Sequence, residues 1–300
     1  MSYHVPVLLK ESIQGLSIDP DGIYIDVTFG GGGHSKEILT HIKKGKLFSF
    51  DQDQDAAQQA KQIQHTGFTF IKSNFVQMKE QMGKYSIKQV DGILADLGVS
   101  SHQFDTPARG FSTRWEGKLD MRMNQEQSLT AEIILNEYSE SQLHYIFGVY
   151  GEVKNAKTLA ADIVSRRVNS PFYLIDDLKN VLDKYSKIYN RFKYYAQVFQ
   201  ALRIEVNNEM QALKDFLTQL PDLVKEGGRI SIISYHSLED RLVKNFINKG
   251  NLKGKLEIDI YGNHLKPFKA INTKPIIPTE EEIQKNNRAR SAKLRIAERV

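Results

Sequence analysis

The chain has 300 residues, of which 40% are hydrophobic and 26% charged, and its formal net charge is +5. This composition is typical of a soluble globular protein with one large or two ordinary domains. No apolar run approaches the ~20 residues of a membrane span, and the absence of cysteine excludes disulfides, thiolate zinc sites and cysteine nucleophiles. The first residues lack a basic region followed by an apolar core, so we expect no signal peptide and a cytoplasmic location.

The first predicted strand leads into four consecutive glycines. The strand covers residues 24–27, the glycines are residues 30–33, and an amphipathic stretch with Ile38, Leu39 and Ile42 on one face follows. This order predicts a strand, a glycine loop and a helix. Glycines allow backbone N–H groups to approach a ligand closely, and the N-terminus of the helix adds a positive dipole end.

A second predicted strand, residues 47–50, ends at Asp51. A carboxylate at this place in a βαβ unit accepts hydrogen bonds from ribose hydroxyls. The loop and Asp51 together indicate a nucleoside-containing cofactor, the alternative being a tight structural turn with an exposed Asp. A dinucleotide fingerprint has glycines at its first, third and sixth places, with a small residue allowed at the sixth. Counted from Gly31 the sixth residue is Lys36, and counted from Gly30 it is Ser35, which is small but not glycine, so the match is weak. The pattern therefore favours S-adenosyl-L-methionine, which has no phosphate, over the dinucleotide of a dehydrogenase.

Two more predicted strands, residues 68–71 and 90–95, continue the alternation of strands and helices, and the second ends at Asp96. The pattern predicts an α/β fold with a parallel sheet, in which ligands bind beyond the carboxyl ends of the strands. The loop of residues 96–103 then faces the reacting centre, and Asp96 is placed to accept a hydrogen bond from an amine. An ordinary turn with an acidic cap is the alternative.

The alternation stops after this loop. From about Thr106 to Tyr195 the sequence has helical patterns only, and a strand pattern returns at residues 227–234. This organisation predicts a doubly wound sheet with an inserted all-helical domain. We place the core at residues 1–105 and 198–300, and the inserted domain at residues 106–197.

Two further segments carry candidate functional side chains. Residues 109–115 mix arginines, including Arg109, with aromatic residues, a composition that holds phosphates and stacks unpaired bases; a hydrophobic plug under a loop is an equal alternative. His236 follows the last central strand and can orient a base or move a proton, although a structural role is the commoner one. No set of His, Asp and Glu has the spacing of metal ligands, so we expect no metal.

The basic residues are concentrated near the C-terminus. Residues 241–300 contain 14 Lys and Arg against 6 Asp and Glu, a net charge of +8, whereas the first 240 residues have 27 against 30, a net charge of −3. The basic segment around Arg288, Arg290 and Arg295 therefore predicts contact with the phosphates of an RNA. A solvated basic tail is the alternative.

Eight stretches of the chain resemble one family, in the same order from end to end. This is the RsmH or MraW family of bacterial 16S ribosomal RNA cytosine-N4 methyltransferases. The matching stretches are residues 4–9, 26–35, 96–103, 109–112, 119–123, 199–204, 234–241 and 288–295.

The resemblance implies a class I, Rossmann-like methyltransferase core and an inserted substrate-recognition domain. It implies transfer of a methyl group from S-adenosyl-L-methionine to the exocyclic N4 of a decoding-centre cytidine, with 16S rRNA in the small ribosomal subunit as the partner and no membrane. The cofactor contacts that the resemblance implies are Gly32, Gly33, His34, Asp51, Phe75, Asp96 and Gln103. The chain departs from the family pattern at His102, at residues 193–198 and at Asn287, which concerns the details of RNA contact.

The absence of cysteine bears on the chemistry. Methylation at cytosine C5 normally requires a thiolate to attack C6, whereas an exocyclic amine can attack the methyl group directly when it is held in line. An acceptor must then orient the N–H bonds of that amine. Asp96 is our first candidate and His236 the second. A dehydrogenase, or an RNA-binding protein without activity, remains the alternative class.

Overall fold

The computed structural model describes residues 6–259 and 261–300, so residues 4 and 5 of the first matching stretch lie outside the description. Two compact units are present, Met1–Gly98 with Met210–Val300, and Val99–Glu209. No helix in the described ranges is long and apolar enough to cross a membrane. The helices are α1 (Leu9–Leu16), α2 (Gly33–His41), α3 (Gln54–Ala60), α4 (Met78–Lys84), α5 (Ser101–Asp105), α6 (Ala131–Glu137), α7 (Glu140–Tyr145), α8 (Ala156–Arg167), α9 (Ile175–Leu182), α10 (Arg191–Val206), α11 (Glu209–Leu223), α12 (Ser237–Lys249) and α13 (Glu280–Lys285).

The first unit contains a seven-stranded sheet with the strand order β3-β2-β1-β4-β5-β7-β6. Strands β1 to β5 run parallel, and β7 is antiparallel to both β5 and β6. The strands are β1 (Ile23–Asp26), β2 (Lys46–Asp51), β3 (Phe68–Lys72), β4 (Val90–Asp96), β5 (Val224–Ser234), β6 (Phe268–Ala270) and β7 (Lys293–Arg299). The five parallel strands are the ones predicted from the sequence. The apolar runs of β1, β2, β4 and β5 are buried, as parallel sheets require, whereas β3, at the edge of the sheet, is mostly half-buried.

The second unit has only helices as regular elements within residues 99–209, all of which the structure describes. Its hydrophobic core includes Leu119, Phe147, Leu178 and Leu202. Helices α5 and α10 both belong to this unit, so its limits lie outside the predicted ones at residues 106 and 197. The reason is that α10 contributes buried residues to the core along its whole length.

Strand β7 is the main difference from the sequence-based expectation. The basic C-terminal segment was expected to be an exposed RNA contact or a solvated tail, whereas residues 293–299 form a strand inserted between β5 and β6. Leu294 and Ile296 are buried on it. Arg295 and Ala297 are buried as well, so both faces of the middle of β7 are covered. The high charge of the segment did not suggest a buried strand.

Candidate active site

The predicted cofactor-binding residues of the first unit follow the carboxyl ends of adjacent parallel strands. The glycine loop follows β1, Asp51 ends β2, Phe75 follows β3 and Asp96 ends β4. Strand β1 lies between β2 and β4. The chain therefore adds β2 and β3 on one side of β1 and β4 and β5 on the other, and the glycine loop follows β1 at this switch point. This position is where open α/β sheets bind their ligands.

The glycines of the loop differ in what a side chain at their position would meet. Gly32 has a φ of +75°, and a Cβ atom there would lie 2.6 Å from the Phe29 ring. A Cβ at Gly33 would lie 2.1 Å from Pro6. At Gly31, in contrast, a Cβ would meet no atom within 4 Å. Gly32 and Gly33 are therefore required by the packing of the protein itself, while Gly31 borders open space that a ligand can enter.

Asp51 is held at the mouth of this loop by two backbone N–H groups. Its Oδ2 accepts a hydrogen bond from Gly30 N at 2.8 Å, and its Oδ1 accepts one from Asp53 N at 2.9 Å. Burial raises the pKa of this carboxyl to about 6, partly offset by the two hydrogen bonds. A carboxylate has about four acceptor positions, so Asp51 keeps capacity for the two hydroxyls of a ribose.

Asp96 is fixed by the strand, the loop and a distant tyrosine. Its backbone N–H donates to Thr28 Oγ1 at 2.6 Å, and its Oδ1 accepts a hydrogen bond from the Tyr235 hydroxyl at 2.7 Å. Burial raises the pKa of Asp96 to about 7; the bond from Tyr235 opposes the rise and the charge of Glu239 adds to it. A Cβ at Gly98 would lie 2.7 Å from the Tyr235 ring, which explains the glycine in this loop.

Two buried carboxyl groups were not among the predicted site residues. Asp26 ends β1 with no exposed surface, and its Oδ2 accepts a hydrogen bond from Ser35 Oγ at 2.6 Å. Glu239 is buried in the first turn of α12, and its Oε2 accepts from Tyr235 N at 2.8 Å. An acidic residue inside an otherwise apolar strand was the available signal for Asp26. For Glu239 the available signal was also local: it stands three positions after the N-cap residue His236, which is the spacing of a capping box.

His34 and His236 both have structural partners. His34 is buried in the first turn of α2, with Nε2 3.1 Å from the Val7 carbonyl oxygen and Nδ1 4.0 Å from Asp96 Oδ2. Burial lowers the pKa of His34, so it is neutral near pH 7. His236 precedes α12, where its Nδ1 accepts from Glu239 N at 3.4 Å. This is a helix cap, and a catalytic role for His236 stays a prediction.

Comparison with known proteins identifies the family. A family model described as "MraW methylase family" matches residues 1–300. The chain is 58% identical over 297 residues to "Ribosomal RNA small subunit methyltransferase H" of Cytophaga hutchinsonii, covering 99% of both chains. It is 56% identical over 301 residues to the protein of the same name in Flavobacterium johnsoniae, covering 100% of this chain and 99% of that one. The chain belongs to the MraW methylase family.

Membership in this methylase family confirms the resemblance seen in the sequence and rules out the dehydrogenase alternative. S-adenosyl-L-methionine is the cofactor, and the site fits it, because Gly31 borders open space and Asp51 has acceptor positions beyond the two that its backbone hydrogen bonds use. Phe75 is half-buried, with its ring edge-to-face against Phe216 at 5.4 Å. Its contact with the cofactor stays a prediction, as do those of the other predicted cofactor-binding residues, Gly32, Gly33, His34, Asp51, Asp96 and Gln103.

In this MraW-family protein two of the predicted residues lie in the second unit and are buried there. Gln103 belongs to a capping box at the start of α5, where its Oε1 accepts from Ser100 N at 3.0 Å. Arg109 donates through Nη2 to the carbonyl oxygens of Arg122 and Met123 at 3.0 and 3.1 Å. Since the Arg109 guanidinium is occupied and buried, we leave it out of the proposed RNA contact.

Of the three basic residues predicted near the C-terminus, one is buried and two reach the surface. Arg295 is buried on β7, and its Nε donates to Asp240 Oδ1 at 2.7 Å. Arg290 is exposed and Arg288 half-buried in a 3₁₀ turn, Asn287–Ser291. We therefore correct the prediction for Arg295, which is an internal ion-pair residue, and keep Arg288 and Arg290 as candidates.

Proposed function

We propose that this protein transfers a methyl group from S-adenosyl-L-methionine to the exocyclic N4 of a decoding-centre cytidine in 16S rRNA within the small ribosomal subunit. The observation that carries the proposal is the Asp96 carboxyl, held by Tyr235 next to the glycine loop. The names of the relatives, which specify the small-subunit ribosomal RNA, support the choice of substrate.

The chain's part in this reaction is to orient an amine. The lone pair of a cytosine N4 is delocalised into the ring, so an acceptor must hold its N–H bonds while the nitrogen is in line with the methyl group at roughly 3–3.5 Å. Asp96 in its carboxylate form supplies that acceptor. The bound cofactor supplies the electrophilic methyl group. Asp96 or a water molecule would take up the proton that N4 releases on methylation.

The pKa of Asp96, about 7, suits this task. Near neutral pH a substantial fraction of the carboxyl is ionised and able to accept, and its basicity is higher than that of an ordinary aspartate. Methylation at C5 is disfavoured because the chain has no cysteine to form the covalent adduct that activates that carbon.

The decisive experiment uses labelled S-adenosyl-L-methionine with small ribosomal subunits and, separately, with free 16S rRNA. After nuclease digestion, the labelled nucleoside is expected to co-elute with N4-methylcytidine and to map to one site. Asp96→Asn serves as the inactive control. Finding 5-methylcytidine, or no label in either RNA, contradicts the proposal.

Cofactor binding is tested separately by calorimetry. Asp51→Ala is expected to weaken binding of S-adenosyl-L-methionine by ~1–3 kcal/mol, because ribose hydroxyls lose their acceptor. The matched control is Asp222→Ala, which removes a side chain that is 62% exposed and pairs with Lys79. Equal affinities of the two variants for S-adenosyl-L-methionine would show that Asp51 does not contact the cofactor.

A further inference from the structure

The connection between α9 and α10 has a cluster of exposed apolar side chains. Ile188 is 86% exposed, Tyr189 81% and Phe192 77%. Single exposed apolar residues are normal on a protein surface, but three within five positions form a patch, and such patches mark sites of interaction. We call residues 187–193 the aromatic tip.

Local hydrogen bonds fix the turn that exposes these side chains. Asn190 Oδ1 accepts from Lys187 N at 2.9 Å, and Asn190 N donates to the Lys187 carbonyl oxygen at 3.0 Å. The next two residues, Tyr194 and Tyr195, are buried in the core of the second unit. Tyr194 donates its hydroxyl hydrogen to Asn155 Oδ1 at 3.1 Å. The tip is thus anchored on one side while Tyr189 and Phe192 stay outside the core.

The charges of the aromatic tip indicate the kind of partner. Residues 184–193 contain four basic residues and no acidic one. Arg191 pairs with Asp183 at 3.2 Å, whereas Lys187 lies over the ring of Tyr189, with 5.9 Å from Nζ to the ring centroid. Lys193 is exposed. Exposed aromatic rings interleaved with cations match unpaired nucleotides, whose bases stack on rings and whose phosphates need positive charge.

We propose that the aromatic tip binds unpaired nucleotides of the RNA substrate, with bases stacked on Tyr189 and Phe192 and phosphates held by Lys187 and Lys193. This deepens the proposed function, on which it rests, by assigning a substrate-binding surface in the second unit. Lys187, Tyr189 and Phe192 were not singled out from the sequence, and Lys193 only as the start of the departure at residues 193–198, since their exposure depends on which tyrosines of α10 enter the core.

The test measures binding of a fluorescent single-stranded RNA to the full-length protein by anisotropy. The double variant Tyr189→Ala/Phe192→Ala is expected to bind about tenfold or more weakly, while Tyr189→Phe/Phe192→Tyr, which keeps both rings, retains the affinity. Tyr261→Ala, at an unrelated position that is 82% exposed, is the matched control. Thermal unfolding should be unchanged in all three because these side chains are exposed.

Salt dependence and self-association complete the test. Lys187→Ala and Lys193→Ala are each expected to lower the slope of log Kd against log salt by about one. Wild-type RNA affinity in the double alanine variant overturns the inference. So does light scattering that finds a wild-type dimer and a monomeric double variant, because the tip is then an interface between two copies. If the wild-type protein methylates no RNA but the double variant still loses RNA binding, the proposed function fails and this inference stands.

Discussion

At the scale of single residues, two groups besides burial set the protonation of Asp96, and two more titratable groups lie close to it. Tyr235, beyond β5, donates a hydrogen bond to it, and Glu239 of α12 adds a negative charge. His34 of α2 lies 4.0 Å away, and the charge of Asp96 raises the pKa of Asp26 on β1. The hydrogen bond from Tyr235 can be removed with the smallest change, because Tyr235→Phe deletes only the hydroxyl group.

We expect Tyr235→Phe to move the acidic limb of the methyl-transfer rate to higher pH. The hydroxyl stabilises the ionised carboxylate, so its loss raises the pKa of Asp96 above about 7. The shift should be about one pH unit, since a hydrogen bond is worth ~1 kcal/mol and a pKa unit ~1.4 kcal/mol. The pH profile of kcat/KM measures it, with Tyr24→Phe as the control for loss of a buried tyrosine hydroxyl. An unchanged profile would mean that Asp96 does not titrate in the reaction.

Asp96 also makes the free protein less stable as pH rises. The carboxyl ionises near 3.8 in the unfolded chain and at about 7 in the folded one, so between these values the folded state binds more protons and its free energy of unfolding falls with pH. In urea unfolding without cofactor, Asp96→Asn should therefore gain stability relative to wild type from pH 4 to pH 7, by at most roughly 4 kcal/mol. Parallel pH curves for the two proteins would contradict this.

At the scale of elements, two glycines of the glycine loop have different roles: Gly32 is required by the fold, and Gly31 borders the predicted cofactor site. Gly32→Ala places a Cβ against Phe29 at a positive φ and should lower the free energy of unfolding by at least ~1–2 kcal/mol. Gly31→Ala adds a methyl group in open space, so stability should be unchanged while affinity for S-adenosyl-L-methionine falls. Unfolding and calorimetry on the pair check both. Wild-type cofactor affinity in Gly31→Ala would place the ligand elsewhere.

Strand β7 carries one side of a largely buried ion pair, Arg295 with Asp240 of α12. The pKa of Asp240 is below its ordinary value: burial raises it, but the hydrogen bond and charge of Arg295 and the charge of Lys293 outweigh that effect. Arg295→Ala should cost roughly 3 kcal/mol of stability, because it leaves a partly buried carboxylate that keeps Lys293 as an ion-pair partner at 3.5 Å but loses its closer one. Arg290→Ala, an exposed arginine of the same region, should stay within about 0.5 kcal/mol of wild type. Urea unfolding decides it, and equal stabilities would show that the Arg295 pair is not stabilising.

At the scale of the whole molecule, the uneven charge distribution predicts how RNA binding responds to salt. Residues 241–300 carry a net charge of +8, but Arg295 neutralises Asp240 inside the first unit. We therefore expect Arg288→Ala/Arg290→Ala to lower the slope of log Kd against log salt for RNA binding by about one per lost phosphate contact, with unchanged affinity for S-adenosyl-L-methionine. A wild-type slope in this variant, measured by anisotropy from low to moderate salt, would exclude the turn of residues 287–291 from the RNA interface.

The sequence by itself determined the five parallel strands, the glycine loop, Asp51 and Asp96 at strand ends, the helical segment and the family. These features are local: apolar runs, turn residues and motif spacing report on a few neighbouring residues, and a parallel sheet brings successive strand ends to one edge.

Only the tertiary structure decided which polar side chains are free to act. Arg295 and Asp240 are 55 positions apart in the chain and Tyr235 and Asp96 are 139 apart, so no local pattern reveals these pairs. Arg109 has the composition of an RNA-binding residue and is instead bonded to backbone carbonyls. A charged side chain is buried only where a distant partner compensates its desolvation, and that partner is known only once the fold has brought the two together.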